Sequence, residues 1–359
     1  MINKLKLTRK LYISDEVKYT LLNNLTYKKC DFTECIYWTS ELFYSNFVAE
    51  LSELLFETYY NFYAIKYPKY EAKINNQLNK KNLESMLYVV NLLFYTPTIT
   101  TEVFEIYSKT PKSISKIYLT HNPHFKFLKK LNIDKIYYKF IAAVHENNFI
   151  NIMYYIKNNT FKDSNYLYDA VKKYFNVVKN MKLSDKLLDK IHYLNKNHVI
   201  VALICYLNTD LNNINKRKIF RKFDKNLYKD KMQKFKTISG SNNFKILESN
   251  SLYHISSNIG CFELDRFKFK NIKNEIRYHW DYHCSSSPIW KDRLNKYKFK
   301  IDDNKKSIIF SNIDEEEEFY ETFDYEFDEQ SKQIQDSIIP NIKHKTITNW
   351  IENLKKLIK

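Results

Sequence analysis

Residues 48–68 read VAELSELLFETYYNFYAIKYP, and within them Val48, Leu51, Leu54, Leu55, Tyr59, Phe62 and Ile65 recur at the spacing of a single helix face. Pro68, which has no amide proton to give, closes the run. The pattern returns in Leu83, Met86, Leu87, Val90, Leu93 and Phe94, this time ended by Pro97. Further helices are predicted at Asp134 to Glu146, Phe149 to Lys157, Ser164 to Lys179, Ser184 to Leu194 and His198 to Leu207. Ser164 and Ser184 stand where a hydroxyl caps a helix start. Short Asn- and Lys-rich connections suit antiparallel helix pairs. No fixed period relates the segments, so residues 1–212 are expected to form an α-helical domain, a bundle or an irregular helical stack rather than a repeat array.

Beyond Leu211 the character changes. From Lys216 to Lys245 there are eleven Lys or Arg against two acids, Asp224 and Asp230, and residues 213–236 are expected to be a basic connector. Residues 237–310 read as a small α+β domain. In it Phe262, Leu264, Phe267 and Phe269 lie in a stretch of largely alternating polarity, and Tyr297 to Ile301 with Ser307 to Phe310 flank the turn residues Asp302, Asp303 and Asn304. Residues 311–359 are expected to be an acidic helical segment. Asp314 to Glu329 holds ten acids and no base, interleaved with Phe319, Tyr320, Phe323, Tyr325 and Phe327, and an amphipathic helix runs from about Thr346 to Ile358. The fold class is therefore mainly α, an N-terminal helical bundle or stack followed by a smaller α+β domain.

Composition narrows function more by exclusion than by assignment. The 359 residues contain two glycines, Gly240 and Gly260, where average usage would give about 25. Phosphate cradles built from glycine are therefore absent, as are G-x-G-x-x-G and G-x-S-x-G, which sets aside P-loop, dinucleotide-binding and α/β-hydrolase chemistry. The formal net charge of +17 is carried by 52 lysines and 6 arginines beside 39 asparagines, a mixture that A/T-rich codons produce. Five of the six arginines, Arg217, Arg221, Arg266, Arg277 and Arg293, fall in one stretch, which marks it as the place where cationic charge resisted drift to lysine. Five scattered cysteines and the absence of an apolar leader in MINKLKLTRK fit a reducing compartment. The longest uncharged apolar stretch, Asn197 to Thr209, is too short for the roughly 20 residues a bilayer needs. It reads as a buried helix, and no membrane partner is expected.

Four stretches carry a family resemblance: ECIYWTSELFYSNF (34–47), FYAIKYP (62–68), RYHWDYHCSSSPIWKDRL (277–294) and IIFSNIDEEEEFYETFDYEFDEQ (308–330). They resemble uncharacterised proteins of nucleocytoplasmic large DNA viruses, the mimivirus-like giant viruses in particular. The resemblance implies a viral protein made in the host cytoplasm, either a virion component or a factor of the replication and transcription site. It brings no activity and no functional residue with it.

The strongest constellation is the basic segment. In a helix Lys216, Arg217, Lys218, Arg221, Lys222, Lys225 and Lys229 would form a charged stripe beside Ile219, Phe220, Phe223 and Leu227, suited to neutralising several phosphates. Its alternative is a solvated linker. Arg277, Tyr278, His279, Trp280, Asp281, Tyr282 and His283, with Trp290 and Arg293 nearby, could stack bases, but in a chain this rich in aromatics the favoured reading has Tyr278, Trp280 and Tyr282 alternating as strand residues or filling a small core. Cys261, His279, His283 and Cys284 are zinc-compatible in type, but their spacing matches no standard finger. Glu263, Asp265 and Lys268 have the residue types of a metal-dependent nuclease, with the lysine on the wrong strand face. Cys30 and Cys35 read as small buried hydrophobes. The acidic run reads as a solvated helical face, or as a lid over the basic one.

The resulting expectation is a non-enzymatic, nucleic-acid-associated viral accessory protein. It would bind phosphate backbone of DNA or RNA through Lys216, Arg217, Lys218, Arg221, Lys222, Lys225 and Lys229, with help from Arg266, Arg277 and Arg293. No catalytic residue, metal or cofactor is assigned. The alternatives are a virion structural or protein-interaction component, located in the host cytoplasm or the particle, and a metal-dependent nuclease.

Overall fold

The computed structural model describes residues 4–97, 99–108, 113, 123–157, 164–180, 196–208, 223–237, 244–245, 272–323, 325 and 347–358. Helices α1 (Ser14–Tyr27), α2 (Phe32–Tyr44), α3 (Val48–Phe62), α4 (Tyr70–Leu78), α5 (Leu83–Tyr95) and α6 (Glu102–Ser108) come first. Two 3-10 turns, Pro123–Lys130 and Lys135–Tyr137, precede α7 (Tyr138–His145), α8 (Phe149–Lys157), α9 (Ser164–Val178) and α10 (Lys196–Asn208). The chain continues through α11 (Lys229–Lys236), α12 (Ile272–Tyr278), α13 (Trp280–Cys284), α14 (Pro288–Leu294), strands β1 (Phe299–Asp302) and β2 (Ser307–Phe310), α15 (Ile313–Thr322) and α16 (Ile347–Ile358). The architecture is mainly α, with a small α+β part whose sheet, among the described residues, is one antiparallel hairpin. The helix expected at Ser184 to Leu194 and the strand-like stretch around Phe262 to Phe269 lie outside the described residues.

Two compact units interleave along the chain. One comprises Met1–Leu55, Lys80–Tyr95 and Phe220–Leu357, the other Phe56–Asn79, Thr96–Ile219 and Ile358–Lys359. The N-terminal segment belongs to the same unit as residues 220–357. The Leu5 amide donates to His283 Nδ1 at 3.1 Å, the Leu7 amide to Ser287 Oγ at 2.7 Å, and Ser286 Oγ donates to the Leu5 carbonyl at 2.7 Å. Leu5 and Leu7 are themselves buried. The first residues are thus stitched into the turn between α13 and α14, and no local pattern announces a pairing across some 280 positions.

In this first unit α2 is the central helix, packed against α1, α5 and α11. Its sequence FTECIYWTSELFY buries Cys35, Ile36, Tyr37, Trp38 and Leu42, too many sides for a simple amphipathic stripe, because it has neighbours on several sides. At the C-terminal end of the chain Trp350 of α16 is fully buried, with Nε1 donating to Asn23 Oδ1 at 3.2 Å and its ring edge-on to Tyr27. Pro288 opens α14 at a position where the helix makes no use of an amide proton. The hairpin pairs Phe299 with Phe310 and Asp302 with Ser307, and Asp302 Oδ1 accepts the amides of Asn304 and Lys305 in its turn. Tyr278, Trp280 and Tyr282, which alternate as strand residues would, fall instead across the junction of two short helices.

In the second unit α6 packs on α8 and α10, α7 on α8 and α9, and α9 on α10. The end of α3 joins it through Phe62, whose ring lies 5.2 Å from Phe104 and whose carbonyl accepts the Thr100 amide at 2.8 Å. Tyr60 donates to Glu71 Oε1 at 2.6 Å, and Lys157 to the Tyr107 carbonyl at 2.7 Å, burial pushing that lysine down to about 8. Among the described residues no helix is long and apolar enough to cross a membrane.

Left-handed backbone recurs without glycine: Leu11, Lys28, Asn46, Lys81, Asn132, Asn147, Asn180 and Lys306 all have positive φ, from 47° to 64°. Lys28 is the residue that ends α1, at φ 54° and ψ 35°, its amide donating back to Asn24.

Candidate nucleic-acid interface

The described part of the basic segment starts at Phe223. Lys216, Arg217, Lys218, Arg221 and Lys222 lie outside the described residues, as do Arg266, Cys261, Glu263, Asp265 and Lys268. Within the stretch expected as the basic connector, the described residues from Phe223 onward pack aromatic side chains inward. Phe223 and Phe235 are buried, and Phe223 stacks on Tyr228 with centroids 5.8 Å apart and planes 6° apart. Tyr228 in turn lies edge-on to Phe32 of α2. Phe235 meets Tyr37 edge-on at 5.2 Å and lies 6.4 Å from Phe244.

A buried arginine locks the end of α11. The Arg9 guanidinium donates to the carbonyls of Phe235 and Lys236 and, at 3.1 Å, to Glu41 Oε2, with side chains only 5% and 1% exposed. Glu41 Oε1 accepts the Lys10 amide, Ser45 Oγ accepts the Arg9 amide, and Tyr325 donates to the Arg9 carbonyl. Such a pair is tolerated in the interior because further hydrogen bonds satisfy both partners. Sequence reading missed Arg9 and Glu41. The available signal was that Arg9 is the one arginine outside the stretch from 217 to 293 in a chain that otherwise uses lysine.

With its apolar side plugged and its end clamped, α11 turns Lys229, Lys231, Lys234 and Lys236 to solvent, against one acid, Asp230. Lys231 reaches Thr33 Oγ1 and lies 4.0 Å from Asp31 Oδ2, and Lys225 lies 2.6 Å from Glu84 Oε2. Both ion pairs are exposed and are each worth at most about 1 kcal/mol, so they compete weakly with a phosphate. Lys10 lies under this face, its amine 5.4 Å from the Tyr37 ring, and burial, opposed by Glu41 and reinforced by Arg9 and Lys234, holds its pKa below the usual lysine range. Of the residues predicted from sequence, then, Lys225 and Lys229 are exposed at this element, and Lys231, Lys234 and Lys236 join them.

The two arginines downstream differ. Arg277 is exposed on α12 and sits over the exposed Tyr278 ring at 5.4 Å. Arg293 is absorbed by packing: its guanidinium lies 4.5 Å from the Phe323 ring and 5.4 Å from Trp290, and it donates to Tyr325 Oη at 3.0 Å. That places it inside an aromatic cluster formed by Trp280, Trp290, Phe310, Phe319, Tyr320 and Tyr325.

Of the zinc-type residues, His283 and Cys284 are fully buried. His283 Nδ1 accepts from Leu5, so Nε2 carries the proton and donates to Glu275 Oε2 at 3.1 Å, while Lys306 bridges to Glu275 Oε1 at 2.5 Å. Burial pushes the His283 imidazole down to about 4, the nearby Glu275 carboxylate pulling the other way. Cys284 is fully buried, its thiol pKa held well above the usual range by burial. Among the described residues no group of three His, Cys, Asp or Glu is placed to hold a metal ion.

Asp314, Glu317, Glu318 and Glu321 form the outer side of α15, which buries Phe319 and Tyr320. Asn312 caps it, its Oδ1 accepting the Glu315 amide at 2.8 Å, and Glu315 Oε2 accepts the Lys298 amide of the segment before β1. Beneath it, Asp281 Oδ2 accepts the Ile308 amide of β2 at 3.2 Å. Burial raises the Asp281 carboxyl, and burial with the Asp281 charge raises that of Glu316.

No known protein family, curated protein or solved structure matches the chain.

Proposed function

We propose that this protein binds the phosphate backbone of nucleic acid through the basic segment, which includes α11. The observation that carries the reading is the Phe235 plug and Arg9 clamp, which hold four lysines of an eight-residue helix facing water. Cations fixed on a clamped helix lose less conformational freedom on meeting phosphates than cations on a loose tail do, and they release condensed counterions in the same way. The preceding cations from Lys216 to Lys222 would add to this charge, and Arg277 over Tyr278 supplies an exposed cation–aromatic couple in the same unit. Arg293 is left out of the interface because it serves the aromatic cluster. A viral accessory role remains part of the proposal and rests on the sequence resemblance.

The test is binding of the full-length chain to labelled single- and double-stranded DNA from about 50 to 300 mM salt, where several phosphate contacts should cost orders of magnitude in affinity. Two charge-reversed variants divide the segment, one at Lys229, Lys234 and Lys236, the other at Arg217, Arg221 and Lys222. Each phosphate contact removed should flatten the log–log salt slope for duplex by about 0.9. Affinity that ignores salt, or that survives both variants, overturns the reading.

A further inference from the structure

Cys30 and Cys35 flank the turn that joins α1 to α2, and their sulfurs lie 3.9 Å apart. We infer that they form a redox modification site, closing reversibly into an intramolecular disulfide when the chain meets a disulfide oxidant such as oxidised glutathione. The inference is independent of the nucleic-acid reading.

Three features of the structure carry it. A disulfide needs its sulfurs at roughly 2.05 Å, so the gap to close is about 2 Å, within reach of a side-chain rotation and a small loop adjustment. Only one partner has to move: Cys35 sits in the first turn of α2, whereas Cys30 lies in the short linker after Lys28, outside either helix. Exposure also divides the labour. Cys30 is partly exposed, while Cys35, Cys205 and Cys284 are all buried, so among the described cysteines Cys30 is the one a bulky oxidant meets.

The chemistry balances in two exchanges. The Cys30 thiolate attacks one sulfur of oxidised glutathione, breaking its S–S bond, forming a mixed disulfide and releasing one glutathione thiolate that takes up a proton. Cys35 then gives up its proton and attacks the Cys30 sulfur, which forms the internal bond and expels the second glutathione. Two protein thiols are oxidised and one glutathione disulfide is reduced to two thiols. Burial, then the neighbouring Cys30, Glu34 and Asp31, holds the Cys35 proton in place, which assigns the first attack to Cys30 and the resolving step to Cys35.

The bond would form under the base of α11. Asp31 and Thr33, inside the ring that the disulfide closes, are the two residues that meet Lys231, and Phe32 between them packs on Phe94, Tyr95 and Tyr228.

The experiment uses the reduced full-length protein, exposed to oxidised glutathione, quenched with N-ethylmaleimide, digested and read by mass spectrometry. The expected product is a Cys30–Cys35 linked peptide lacking two hydrogens, returned to the dithiol form by dithiothreitol, with Cys205 and Cys284 still alkylated after unfolding. Cys35→Ser should instead accumulate a stable glutathione adduct on Cys30, and Cys30→Ser should leave Cys35 unoxidised. A lasting glutathione adduct on Cys30 of the unmutated chain overturns the inference. So does a link to Cys261, or recovery of both thiols unreacted under strongly oxidising glutathione.

Discussion

The helices α11 and α15 are built alike and charged oppositely. Each lies at the surface of the same unit, plugs an aromatic side into the interior, through Phe235 in one and Phe319 with Tyr320 in the other, and presents charges to water. In α15 the acids Asp314, Glu315 and Glu316 stand in the first turn, where the helix dipole favours negative charge by about 0.3 to 1 kcal/mol apiece, and Asn312 caps the same end. Folding alone accounts for them. In α11 the first turn carries Lys229 and Lys231, at the end where a cation opposes the dipole, around one acid, Asp230, and Tyr228 provides no side-chain cap. Lys234 and Lys236 are well placed at the other end, so half of the basic charge is arranged against the stability of its own helix. Under the proposed function, contacts with phosphate would offset the cost of the two opposing lysines in α11, whereas the acids of α15 need no such contact.

The comparison breaks first at the plugs. Phe235→Ala and Phe319→Ala should each cost about 3 to 5 kcal/mol if the whole unit feels the cavity, read from denaturant unfolding. If the comparison holds, Phe235→Ala also weakens DNA binding at matched folded fraction, whereas a variant that leaves affinity untouched would separate the helix from the function. Acid strikes the side of the unit that holds α15. His283 sits in α13, and its folded value of about 4 lies below the ordinary 6.5, so its contribution is complete above pH 6.5 and fades as pH falls toward 4. That difference corresponds to about 3 kcal/mol. An NMR titration of the imidazole should show a midpoint well under 6, and a midpoint near 6.5 would remove the effect. Asn312→Ala should cost about 1 kcal/mol in thermal or denaturant unfolding, since it strands the Glu315 amide. The finest test is one of sign. Asp314→Asn should destabilise by about 0.3 to 1 kcal/mol while Lys229→Gln stabilises by a few tenths and weakens nucleic-acid binding. Equal signs in the two would end the distinction between folding charge and partner charge.

Much of the fold was legible because helix and hairpin signals are local. The face through Val48 and Leu51 became α3, and Asp302 with its neighbours became the hairpin turn, since side-chain spacing and turn chemistry act over a few residues. What stayed hidden was carried by long-range contacts. Nothing around Leu5 tells of His283, and nothing in Lys229 to Lys236 tells which side Phe235 buries or that Arg9 holds the carbonyls beyond it. Arg293 misled for a related reason: a guanidinium on aromatic rings and a guanidinium on a phosphate have the same sequence, and only packing separates them. Lys231, Lys234 and Lys236 were within the counted basic stretch, but a helical stripe ending at Lys229 placed the emphasis upstream of α11.

The left-handed positions of the backbone hold an untapped source of stability. Where most chains place glycine just past a helix, this one uses lysine at 28 and 81 and asparagine at 46, 132, 147 and 180, each of which carries a penalty that glycine escapes. A genome drifting away from glycine codons would leave such a trace: a protein that folds by the bulk of its aromatic interior while tolerating many small torsional strains at its corners. Restoring glycine at those corners is accordingly a route to a sturdier version of the same molecule, reached without touching its core or its charged helices.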